Sequence, residues 1–241
     1  MITNGKLRGP ALKRRVFDLL ATKNFNQALE ALCALPARQA INPLFSFFCS
    51  ADQDIRWKAI TATGAVVANL AAEDMESARV VMRRMIWNLN DESGGIGWGV
   101  PEAMGEIMAR HEGLAGEYAN ILVSYAREDG NFLEHEPLQR GVLWGLGRLA
   151  QVRPHLLQDL VPHLQRHLCS EDVTLRGLAA WTMGMIGARQ ARSSLEALVE
   201  DQAEVLLYLN GAQRIHRVGE LAREALAVIE SRIAETSGPD D

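Results

Sequence analysis

Glycines recur along this chain at similar intervals, and the residues ahead of each follow one pattern. Gly64, Gly105, Gly147, Gly184 and Gly211 are the anchors, and all but the last step between them are about 40 residues long. Seven positions before them stand Trp57, Trp98, Arg140, Gly177 and Glu204; three positions before them stand Thr61, Glu102, Trp144, Trp181 and Tyr208. Positions four apart share one face of a helix. A unit of this length holds a pair of helices that cannot bury its apolar face alone, so such units must stack. The residues between the recurring positions are small or apolar (Ala59, Ile60 and Ala62; Val142, Leu143 and Gly145; Ala179, Ala180 and Thr182) and fit the packed side. The recurring pair is therefore expected to look outward, and it holds four of the five tryptophans. Aromatics stacked outward repeat after repeat suggest a binding surface, with Trp57, Trp98, Glu102, Arg140, Trp144, Trp181 and Tyr208 as its candidates. The fifth tryptophan, Trp87, is assigned to the core.

Helix formers with apolar residues three and four apart dominate, and strand patterns are nearly absent. The spacing predicts helices over about 11–22, 25–34, 38–49, 53–71, 74–88, 99–111, 114–127, 137–151, 155–168, 172–187, 189–200, 203–213 and 217–234. The fold class expected is all-α, a right-handed α–α superhelix of about five repeats. Residues 1–37 form an N-terminal helical cap in this reading, 38–235 the solenoid, and 236–241 (TSGPDD) a disordered tail.

Composition narrows the function. The 241 residues are 48% hydrophobic and 23% charged, as in a globular protein, and the net charge is −5. That balance argues against a generally basic nucleic-acid binder. Cys33, Cys49 and Cys169 have no metal-like spacing, so reduced thiols are expected. No apolar run approaches a membrane span; the nearest, Ala65–Ala72, contains Asn69. The basic N-terminal residues precede no apolar stretch, so no secretory signal is expected. The expectation is a cytoplasmic protein without cofactor or metal.

Asp54-Ile55-Arg56-Trp57-Lys58-Ala59 leads to Gly64, and Asp172-Val173-Thr174-Leu175-Arg176-Gly177-Leu178-Ala179-Ala180 leads to Gly184 and Gly187. Both resemble HEAT repeats, in particular the short bacterial HEAT-like kind, whose second helix opens with an acidic turn and an Arg and closes on a small residue and Gly. The resemblance covers about residues 38–230 and implies a HEAT-like solenoid, a scaffold that hosts many unrelated roles. It implies that Arg56 and Arg176 look inward to turn acids of adjacent repeats, and that Gly97 and Gln139 interrupt this ladder. The HEAT-like repeats of bilin lyases share the scaffold only; no residue here specifies a tetrapyrrole.

In the central repeats Trp98-Gly99-Val100-Pro101-Glu102, Arg140 and Trp181 resemble the HEAT-like alkylpurine DNA glycosylases. The resemblance implies tryptophans that hold a cationic nucleotide, a carboxylate that stabilises charge on the sugar and an Arg on phosphate. Glu102 would be catalytic in this alternative. It stands where that family has Asp, and the chain lacks the dense basic lining that duplex DNA requires. The preferred reading is a non-catalytic scaffold whose concave face grips a protein or peptide, or else a small ligand. In it Glu102 reaches Arg140 of the next repeat.

Three features are weaker. Gly95, Gly97 and Gly99 would present backbone N–H groups to an anion, although a bending linker is the plainer reading. His163 and His167 lie four apart without the HExxH zinc pattern and are read as a solvated helix face. Lys6, Arg8, Lys13, Arg14 and Arg15 form a basic patch, read first as a solubilising face.

Overall fold

A computed structural model describes residues 9–90 and 97–236 and has an all-α helical-repeat fold interrupted by one two-stranded hairpin. Lys6, Arg8, Gly95 and the tail from Ser237 lie outside the described residues. The chain divides into two compact units, Met1–Ala115 and Gly116–Asp241. Among the described residues no helix is long and apolar enough to cross a membrane.

The first unit holds α1 (Pro10–Leu20), α2 (Phe25–Cys33), α3 (Ala37–Phe45), α4 (Gln53–Glu73), α5 (Met75–Asn90), α6 (Val100–Arg110) and the start of α7 (Glu112–Ser124). Asp52 opens α4 by accepting from the amides of Asp54 (2.9 Å) and Ile55 (3.3 Å), which satisfies two first-turn N–H groups. α4 packs against α2, α3, α5 and α6, so its apolar residues run nearly all the way round rather than in one stripe. Gly64 marks the approach to α6: a Cβ there would stand 2.7 Å from Cβ of Glu106. Gly99 enters α6 at φ 72, and its missing side chain leaves room for Phe48.

α5 turns Ala78, Val81, Met82, Met85 and Leu89 inward. Trp87 falls on the opposite face with Val80, Arg83 and Arg84 and is 69% exposed, so its assignment to the core is corrected.

The second unit holds the rest of α7, α8 (Glu136–Ala150), a 3-10 segment (Pro154–Leu160), α9 (Val161–Leu168), α10 (Val173–Ile186), a 3-10 turn (Arg189–Ala191), α11 (Arg192–Glu196), β1 (Glu204–Leu209), β2 (Ala212–Arg217) and α12 (Val218–Thr236). The single helix expected over 155–168 breaks because Pro162 lacks an N–H and its ring would meet the carbonyl four residues earlier. Of the helix expected over 189–200 only Arg192–Glu196 is α-helical. Gly147 and Gly184 play the part of Gly64. A Cβ on Gly147 would overlap the Trp181 ring, and one on Gly184 would stand 2.6 Å from Cα of Ala225.

The helix expected over 203–213 is a hairpin. Leu209 pairs with Ala212 across Asn210 (φ 53) and Gly211 (φ 81), the two positive-φ residues of a primed turn. Gly211 is thus a turn residue and no helix anchor. The fifth inner helix is α12, where Ala225 meets Gly184. The step from Gly184 to Ala225 equals the step from Gly64 to Gly105, so the repeat keeps its length to the last helix. Glu204 and Tyr208 accordingly sit on β1, not on a helix.

Candidate functional site

Acid–arginine links tie an inner helix to the following repeat within each unit. In the first unit Nη2 of Arg56 donates to Oε1 of Glu102 at 3.0 Å, and Glu102 is 4% exposed. Burial pushes the Glu102 carboxyl above the usual carboxylate range, and the Arg56 charge offsets only part of that. In the second unit Arg176 donates to Asp201 at 3.0 Å, the turn acid that the repeat pattern implied. Arg140 donates to Asp172 through Nε (2.7 Å) and Nη2 (2.6 Å). Burial raises the Asp172 carboxyl, but Arg140 and the amides of Leu175 and Thr174 outweigh it and leave the group below its ordinary value.

Two expectations change here. Where a Glu102–Arg140 pair was expected, each is paired within its own unit, Glu102 with Arg56 and Arg140 with Asp172. The ladder is also not interrupted at Gln139. Its amide donates to the carbonyls of Tyr125 (2.8 Å) and Leu133 (2.6 Å), and Arg140, one residue on, reaches the turn acid instead.

The aromatic positions separate into two groups. In the second unit Trp144 (4% exposed), Trp181 (5%) and Tyr208 (8%) are buried, against the expectation that they face solvent. For Trp144 and Tyr208 the cause is the hairpin. Trp144 Nε1 donates to the Tyr208 carbonyl at 2.6 Å, and the Trp144 ring centroid lies 6.5 Å from that of Trp181 and 6.3 Å from that of Tyr208. β1 therefore covers the Trp144 ring as an extended segment of the chain itself, Trp181 is enclosed against Gly147 of α8, and the three rings form a tilted aromatic cluster in the core. Gly177 leaves the space that Val205 and Leu207 fill against α10.

In the first unit Trp57 and Trp98 stay half-buried. The Arg56 guanidinium stands 6.0 Å from the Trp57 ring centroid. Trp98 lines a cavity of about 340 Å³ with Asn42, Phe45 and Cys49 near α3 and Arg84 and Asn88 on α5. Arg84 stacks on Phe45 at 4.9 Å and donates to Asn42. These partners were not legible in advance, since α3 and α5 carry no motif beyond apolar spacing. Gly97 and Gly99 are occupied in packing against Leu89 and Phe48, which accounts for them without an anion.

Three of the residues expected in an alkylpurine cleft are enclosed or already paired. Glu102 and Trp181 are enclosed, and Arg140 is neutralised by Asp172. His167, expected on a solvated face, is 6% exposed and takes a hydrogen bond from Nε of Arg166 at 3.3 Å. Among the described residues no group of His, Cys, Asp or Glu is arranged to hold a metal.

Residues 136–186 match the family model of the HEAT-like repeat. No curated protein matches the sequence. Among solved structures, an engineered protein of the Northeast Structural Genomics Consortium is similar at TM-score 0.53 and 15% identity, over 91% of this chain and 96% of that one. A designed armadillo repeat protein in complex with the peptide (KR)4 is similar at TM-score 0.51 and 16% identity, over 90% and 99%. Another designed armadillo repeat protein gives 0.50 and 17%, with the same coverage.

Proposed function

We propose that this chain, a HEAT-repeat protein, works as a non-catalytic scaffold that grips a protein or peptide. The observation that carries the reading is the cavity beside Trp98, aromatic at Trp98 and Phe45, cationic at Arg84 and amide-lined at Asn42 and Asn88. Its volume of about 340 Å³ is at the small end of ligand sites, enough for one anchoring side chain of a partner. Buried aromatic anchors beside a guanidinium are where interfaces concentrate their energy. Trp57, Trp98 and Arg140 are the contact residues, since each keeps part of its side chain in solvent. Glu102, Trp144, Trp181 and Tyr208 act behind them by fixing helix spacing. Of the segment 1–37, the described residues 9–37 close the first repeat as a cap, and the setting is cytoplasmic.

Two further facts support this reading. The candidate acid Glu102 is enclosed against Arg56 and has no open face toward a substrate. One structure of similar fold holds a peptide.

The test is to place a photoreactive phenylalanine analogue at position 57 or 98 and irradiate cells producing the protein. One covalent partner common to both positions, and absent from a control at exposed Ala72, is expected. Equal labelling from the control position would overturn the proposal.

A further inference from the structure

The hairpin has an open side that the scaffold reading does not use. With Leu209 opposite Ala212 around a two-residue turn, the hydrogen-bonded pairs of the ladder are 209 with 212, 207 with 214 and 205 with 216. The backbone groups of Gln213 and Ile215 therefore point away from β1, along an edge that no third strand covers among the described residues. On the solvent face Leu206 and Ile215 stand directly opposite each other at 56% and 66% exposure, an apolar pair left open to water.

The edge is held rigidly. Trp144 fixes the Tyr208 carbonyl at 2.6 Å, Gln151 donates to the Asn210 side chain at 3.3 Å, and the amides of Val218 and Gly219 close the base onto Ala203 and Asp201. A fixed edge spares an incoming strand the cost of ordering its template.

Charge selects the occupant. β2 carries Arg214, His216 and Arg217 and no acid, and Arg214 and Arg217 are exposed. Across from it Glu204 is paired with Arg217 at 3.7 Å and is itself exposed. A second copy pairing antiparallel about Ile215 would set Arg214 opposite His216 and crowd four arginines along one seam, which opposes self-association. We propose that β2 accepts, as a third strand, an extended peptide of alternating apolar and acidic residues. An apolar side chain of the peptide covers Leu206 and Ile215, and the acids on either side of it lie on the other face, beside Arg214 and His216.

This inference rests on the scaffold reading only in taking a peptide as ligand. It involves none of the residues around Trp98, so either can fail alone. The test is selection of a random twelve-residue phage-displayed peptide library on the full-length protein. Enriched sequences are expected to alternate apolar and acidic residues. A synthetic copy should lose about tenfold or more in affinity on Ile215→Glu and on Arg214→Glu, and similarly when its own backbone amides are N-methylated. Ile215→Thr keeps the strand and should retain binding; unchanged circular dichroism of every variant separates lost binding from lost folding. In the ¹⁵N spectrum the amides of Gln213 and Ile215 should shift on titration. Basic or non-alternating winners, winners indifferent to Ile215→Glu, no enrichment at all, or protection of the β2 amides by dimerisation without peptide would each overturn the proposal.

Discussion

Single atoms decide the helix approaches. A methyl on Gly147 would overlap the Trp181 ring and stand 2.7 Å from Oγ1 of Thr182, in a core with no slack. Gly147→Ala should therefore cost about 1–3 kcal/mol by overpacking in urea unfolding. Gly116, exposed on α7 with nothing within 4 Å of an added Cβ, should do the opposite: Gly116→Ala should gain about 0.5–1 kcal/mol by removing glycine's unfolded-state freedom. His167 gives the pH counterpart. Burial, and secondarily the Arg166 charge, lower its pKa from 6.5 to about 4, so the folded state holds the neutral ring. A depressed pKa means its stability contribution is present above 6.5 and is lost as pH falls toward 4. The wild type should lose stability between pH 7 and 5, and His167→Gln should lose less, in urea titrations at the two values. Equal losses in both proteins would remove His167 from the account.

Elements are legible where one pattern acts alone and obscured where two compete. Asp52 and Asp172 announce α4 and α10, and Arg176 finds its turn acid, because capping and ladder chemistry are local. The hairpin is hidden by its own turn glycine. Gly211 fits a helical register, while Asn210-Gly211 between Val-Leu-Leu-Tyr-Leu and Ile215 is the stronger signal of a primed turn. The short step before Gly211 is the warning, since a full repeat length from Gly184 leads to Ala225 on α12. Burial of Trp144 is hidden for the same reason, as a helix at 203–213 would not lie over it. If Trp144 anchors the hairpin, Trp144→Phe removes the donor to the Tyr208 carbonyl and should cost about 1–2 kcal/mol. Amide exchange should accelerate across 204–217 while α4 in the other unit stays protected. Uniform acceleration along the chain would mean that the hairpin is not a separately anchored element.

At the scale of the molecule, the repeat architecture can be read from period, small anchors and acid–Arg spacing, because stacking helices demands those features wherever it occurs. The site can be read only in part. Exposure depends on what covers a residue from elsewhere in the chain, and β1 covers Trp144 while α3 and α5 frame Trp98. The residues proposed for recognition are Trp57 and Trp98 in the first unit and, taken by itself, Arg140 in the second, each with part of its side chain in solvent. The central claim is that these residues bind and do not catalyse. It is tested most directly by calorimetric titration of the partner captured from positions 57 and 98 into wild type, Trp57→Ala and Trp98→Ala. Saturable one-to-one binding is expected, with Kd raised about tenfold or more in each variant while melting is unchanged. Equal Kd in all three proteins, or conversion of the bound molecule on standing with wild type, would contradict it.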